Sequence, residues 1–175
     1  MEVASQLPTV DMLRWLYSFH AWTAPRVLDA ARTLTDERLR QAGVIAGGTG
    51  DGSLFQTLAH IVGAETLWLA RWSGQTHVPL PAARDYTDLG TLAAAWSIAD
   101  REIGEMLGSL SPDALGRSVS YMSVARRVME AFPLWQTILH MSNHTTHHRA
   151  EACVALTALG SPPASVDLVD FMRST

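Results

Sequence analysis

The run His140-Met-Ser-Asn-His144-Thr-Thr-His147-His148-Arg149-Ala-Glu151 holds four of the chain's seven histidines. It lies in a stretch that opens at Pro133 and closes at Gly160-Ser-Pro162-Pro163, with Leu134, Ile138, Met141, Val154 and Leu159 as its apolar positions, which predicts one long final helix. On a helix of about 3.6 residues per turn, positions i, i+4 and i+8 fall on successive turns of one face, with neighbouring Cβ atoms about 5–6 Å apart. His140, His144 and His148 stand at such positions, which is metal-ligand spacing. Glu151, almost two turns past His144, brings a carboxylate to the same stripe. The chain therefore offers a site as well as a fold.

Working outward, Leu13, Leu16, Phe19, Trp22 and Val27 recur at helical spacing between about Thr9 and Leu34, a first helix that Pro25 is expected to kink or briefly interrupt. The glycine-dense stretch from Gly43 to Gly52 reads as loop. It lacks the Gly-Lys-Ser/Thr ending of a phosphate cradle and no strand precedes it, so no nucleotide fingerprint is read there. Ser53-Leu-Phe-Gln56 is a capping-box pattern that starts a second helix running to about Trp72, apolar through Leu54, Leu58, Ile61, Val62 and Leu69 and ended by Gly74. Pro79 and Pro81 mark a connection, after which Thr87 or Asp88 can cap a third helix carrying Leu92, Trp96, Ile103 and Leu107, closed by Ser111-Pro112. From Arg117 to Glu130 there is no helical period; Val119–Met122 and Val124–Val128 can pair as a short hairpin, or the segment is plain loop. The fold expected is all-α: one domain over residues 1–175, an antiparallel four-helix bundle with that short hairpin before the last helix.

With 175 residues, 47% of them hydrophobic and 17% charged, and a mean hydropathy of +0.07, the chain is long and apolar enough to bury a core. A formal charge of -4 supplies no basic field, so nucleic acid and anionic membranes are disfavoured partners. No apolar stretch reaches the roughly 18 residues of a membrane span, and Met1–Pro8 lacks the pattern of a signal peptide, so a cytoplasmic protein is expected. Cys153, the single cysteine, falls on the side of the last helix opposite His148 and reads as a packing residue. Most of the six tryptophans read as core or interface anchors, and several on short helices favour a homodimer. His20 and His77 have no partner visible in sequence and are expected at the surface.

A metal held between helices draws ligands from more than one of them, and His60 in the second helix is the natural second source. Gly63 and Ala64, one turn on, would let another helix approach it closely. Three neutral imidazoles satisfy a borderline divalent ion such as zinc or nickel and leave a coordination position open, which implies catalysis.

Thr57-Leu-Ala-His60-Ile with Trp68 and Arg71 after it, Asn143-His144-Thr-Thr-His147-His148-Arg149, the closing Leu159-Gly160-Ser-Pro-Pro with Asp167-Leu168, and Trp22-Thr-Ala-Pro-Arg26 together resemble the DinB-like family over nearly the whole chain. The resemblance implies one divalent ion per chain on His60, His144 and His148, with zinc or nickel first and manganese or iron next. His140, His147 and Arg149 then stand behind or beside the ligands, Arg149 bonding a carboxylate inside the bundle or an ion-pair partner on its surface. Where the family usually continues His-Arg-Gly-Gln, this chain has His148-Arg149-Ala150-Glu151, so Glu151 is a fourth ligand, a residue orienting a histidine, or a base. Proteins of similar fold include metal-dependent transferases and isomerases that use a low-molecular-weight thiol. The expected function is transfer of such a thiol to a small electrophile; hydrolysis by activated water, or a non-catalytic ion tying helices together in a stress-related protein, are the alternatives.

Overall fold

Thr9, Ser53 and Asp88 each accept a hydrogen bond from the backbone N–H three residues on, and each stands at the start of a long helix. The computed structural model describes residues 8–175, so the Met1–Leu7 part of the N-terminal reading lies outside the described residues. Helix α1 (Val10–Ala31) continues through Pro25, so the interruption expected there as the alternative to a kink does not occur, and a short α2 (Asp36–Leu39) follows. Then come α3 (Leu54–Trp72) and α4 (Leu89–Ser109), an antiparallel pair of strands β1 (Ser118–Met122) and β2 (Met129–Pro133), α5 (Leu134–Ala158) and a final α6 (Leu168–Ser174). Gly74 and Gly160, at φ of 94° and 82°, take the left-handed conformation that ends α3 and α5, as their positions predict. Among the described residues no helix is long and apolar enough to cross a membrane.

Side-chain pairs give the helix directions. His60 meets His148, Glu65 meets Thr145, Trp68 meets His140 and Trp72 meets Thr137, so α3 and α5 run in opposite directions. Likewise Arg14 bonds Leu107 O while Tyr17 bonds Asp100, which opposes α1 to α4. By contrast Arg149 bonds His20 while Ser161 bonds Ala30, so α1 and α5 run the same way, as do α3 and α4. The all-antiparallel expectation is therefore corrected. Residues 73–88 carry the chain back along α3 before α4 begins. That return passes so close to α3 that a Cβ at Gly63 would stand 2.5 Å from Pro81 O. Gly63 makes room for this backbone and not for a helix.

The core has two apolar clusters. One gathers Val27, Leu54, Leu58, Leu92, Trp96 and Leu156; the other gathers Leu13, Trp72, Ile103, Leu107, Leu134 and Ile138. Each fully buried aliphatic side chain contributes about 1.5–3 kcal/mol. The turns between the clusters carry buried polar groups instead: His20 and Thr23 on α1, Glu65 on α3, and Thr145 and Arg149 on α5. Val154, expected in the core, is 68% exposed.

The hairpin exists, with a different second strand. Its register pairs Tyr121 with Glu130 and Val119 with Phe132, and the stretch Val124–Val128 is the connection, which turns through Arg127 at φ 55°. Met122 N–H donates to Thr76 O, fixing the hairpin to the 73–88 return.

Candidate metal centre

His60 on α3 and His144 on α5 face each other with their Nε2 atoms 3.0 Å apart. The ring of His148, one turn further along α5, lies 4.5 Å from that of His60 and 4.4 Å from that of His144, centre to centre. One ligand atom from each of the three falls within 4.8 Å of the others. Between two neutral imidazoles, a single tautomeric hydrogen bond accounts for a 3.0 Å contact. It does not account for the third ring, whereas the convergence of three nitrogens is what a tetrahedral ion requires.

The protonation state suits a ligand. Burial, then His148, pulls the titration of His60 down, with Glu151 opposing; burial and the neighbouring imidazoles bring His144 to about 3. Both rings are neutral at pH 7, so a cation displaces no proton from them. Among the described residues His144 Nδ1 is buried without a partner, so the ring's one hydrogen-bond contact is through Nε2 to His60.

Glu151 stands behind His148. Its Oε2 lies 2.7 Å from His148 Nδ1 and its Oε1 3.0 Å from His147 Nε2. Burial raises this carboxyl, but the hydrogen bonds with His148 and His147 outweigh it and leave it below its ordinary range. A carboxylate on Nδ1 fixes the proton there and leaves the Nε2 lone pair available to an ion, the arrangement that orients metal-bound imidazoles. His147, His148 and Glu151 form a second group close enough for an ion. That group comes from one helix, its His147 side chain is 66% exposed, and it would take the Nδ1 that Glu151 already holds. The three-histidine group, half-buried and drawn from two helices, is the stronger site.

Residues 9–175 match the sequence model of the DinB family, a span that takes in every helix and all three histidines. The chain belongs to the DinB family. Comparison with curated proteins finds no match. Within this DinB chain the remaining sequence candidates fall into place. His140 packs edge-on to Trp68, 5.3 Å between ring centres, and is not in the three-histidine group. Arg149 is buried, donating to His20 Nδ1 at 2.9 Å and to Thr23 Oγ1 at 3.2 Å. It belongs to the interior, although its hydrogen-bond acceptors are neutral. His20, expected at the surface, is 2% exposed because Arg149 needs an acceptor there. His77 is exposed, as expected.

The sequence reading missed the carboxyls of the interior. Glu65 is buried on α3 with Thr145 Oγ1 3.3 Å away, and its Oε2 has no partner among the described residues. Burial and the nearby Asp100 push its carboxyl well above the usual range. Asp100 accepts from Tyr17 at 2.8 Å and is raised to about 6 by burial. Glu65 had a signal, a lone acid inside Ile61-Val-Gly-Ala-Glu-Thr-Leu-Trp; Asp100 had none.

Beside the histidines opens a cleft of about 290 Å³ walled by α3, α5 and the hairpin, lined by His60, His144, Trp68, Arg71, Tyr121 and Glu130 among others. A second hollow of about 330 Å³ continues past Trp68, Tyr121 and His140 to Phe132. None of the hairpin residues lining these hollows was singled out from sequence.

Proposed function

We propose that the four long helices form a bundle holding one divalent ion, zinc or nickel first, on His60, His144 and His148, and that the protein is a metalloenzyme transferring a low-molecular-weight thiol to a small electrophile. The observation that carries the catalytic reading is the position of Glu151. A closed structural site needs a fourth protein ligand, and the carboxylate best placed to supply it is engaged behind His148. An ion held by the three histidines would then keep a position open to a ligand, and the 290 Å³ cleft borders His60 and His144.

When bound, such an ion lowers the pKa of a coordinated thiol or water and so supplies a nucleophile at neutral pH. The chain's own residues do the rest. Glu151 keeps the Nδ1 proton of His148 in place and its Nε2 lone pair available. Burial keeps His60 and His144 neutral. Trp68 and Tyr121, 5.0 Å apart edge to face, form an apolar wall that excludes water from one side of the cleft. A formal charge of -4 favours a small molecule over nucleic acid as the substrate.

The test is an assay of the zinc- or nickel-loaded protein against a panel of thiols and electrophiles, with ester and amide substrates alone beside it. Consumption of thiol that stops on chelation supports transfer; turnover of esters without thiol supports the hydrolase alternative. The absence of both activities from fully loaded protein counts against catalysis.

A further inference from the structure

Among the described residues Arg71 is the one side chain of the cleft wall with a fixed positive charge, and it is 6% exposed. Its guanidinium carbon sits 4.6 Å from the centre of the Trp68 ring and 4.0 Å from that of Tyr121, so stacking holds the plane in position. A guanidinium has five N–H donors. Among the described residues this one makes a single hydrogen bond, from one terminal nitrogen to Met122 O at 3.2 Å, and no ion pair. Glu130, whose charge is felt at Arg71, makes its ion pair with Arg126 at 3.2 Å. The charge of Glu130 offsets part of the cost of enclosing this cation, but no carboxylate hydrogen-bonds it, and its spare donors are open to an anion that enters the cleft.

We propose that Arg71 is the anion subsite of this cleft, so that the ligand bound beside His60 and His144 carries a carboxylate, gripped by the guanidinium while the rest of the molecule lies against Trp68 and Tyr121. This deepens the metal-site reading by naming the substrate class of the same cleft, and the Arg71 contact is formed whether or not the ion is present. Glu130, on the same wall, opposes the anion and so weakens its binding. Arg serves here where Lys would not, because a planar fork meets a carboxylate with two parallel hydrogen bonds and stacks on both rings at once.

The test uses 3-phenylpropanoate and its neutral isostere 3-phenylpropanamide, titrated by calorimetry into the zinc-loaded protein and into the same protein stripped by chelator, with zinc content measured on each sample. The carboxylate is expected to bind about tenfold or more tightly than the amide in both forms, since hydrogen bonds to a charged group are the strong ones. Arg71→Met should erase the preference, Arg71→Lys should keep part of it, and Glu130→Gln should strengthen carboxylate binding. Equal affinities for the two probes in the stripped wild-type protein, no binding of either, or a preference that survives Arg71→Met overturns the proposal. If Arg71→Met fails to fold, the wild-type comparison still decides. Failure of zinc to bind, with the carboxylate preference intact, overturns the metal reading and leaves Arg71 standing.

Discussion

Lowering the pH from 7 to 5 should destabilise the wild-type protein by about 2 kcal/mol more than a His20→Gln variant. His20 sits in the polar layer between the two apolar clusters, 2% exposed. Arg149 can only donate, so its 2.9 Å bond puts the lone pair on His20 Nδ1 and the proton on Nε2. Burial, with Arg149 adding its charge, brings the ring to about 3 in the folded chain, against 6.5 when unfolded. Between those two values the unfolded state binds the proton and the folded state does not, so stability is intact above 6.5 and falls as the pH drops. Each unit is worth about 1.4 kcal/mol, and pH 5 lies about 1.5 units below the unfolded value, hence about 2 kcal/mol. Asp100 acts in the opposite sense: raised to about 6 from 3.8, it takes up its proton first in the folded state and returns about 1 kcal/mol over the same range. His144, brought to about 3, adds to the loss. Both groups are present in wild type and variant alike, so the difference between the two isolates His20. Urea unfolding in chelator, followed by tryptophan fluorescence at pH 7, 6 and 5, reads it. Stability curves that stay parallel from pH 7 to 5 would refute a buried neutral His20.

Replacing Glu151 by Ala removes the acceptor on His148 Nδ1 and should weaken zinc binding about 10–100-fold, with Gln nearer wild type because its carbonyl still accepts; competition with a chromophoric chelator measures both. Gly63→Ala places a methyl group 2.5 Å from Pro81 O and should destabilise the chain by about 1–3 kcal/mol in urea, because a backbone must move. Gly160→Ala meets nothing within 4 Å, so its cost is the left-handed backbone alone, about 1 kcal/mol, and it should leave zinc affinity unchanged.

The four long helices were legible because each carries its own punctuation: Ser53 and Asp88 as caps, Gly74 and Gly160 as stops, and apolar residues such as Leu92, Trp96, Ile103 and Leu107 at helical spacing, all four of them buried. Their relative directions were not, because nothing local to residues 73–88 says whether that stretch turns back at once or runs the length of α3 first. The hairpin was placed with its second strand too early. Val124 and Val128 have strand-like side chains but lie in the turn, while Met129–Pro133 pairs with β1 through backbone bonds that leave little mark on side-chain pattern. Helix α6 went unread since its one buried residue, Phe171, packs against Trp15, Phe19 and Trp22, which are far off in sequence. The site divides the same way. His144, His148 and Glu151 share one helix and announced themselves by spacing; His60 needed a second helix and the family pattern. Arg71, Tyr121 and Glu130 meet only through the tertiary fold, and His20 looked exposed because its partner lies 129 residues away.

On the proposed function, His60, His144 and His148 together hold one divalent ion. Elemental analysis of the protein purified without an affinity tag or chelator, and again after reconstitution with zinc, nickel and manganese, tests it beside a His60→Ala, His144→Ala, His148→Ala variant. The expected result is about one ion per wild-type chain and none in the variant, with both proteins helical by circular dichroism. Wild-type protein that takes up no metal even after reconstitution, or a variant that holds as much, would contradict it.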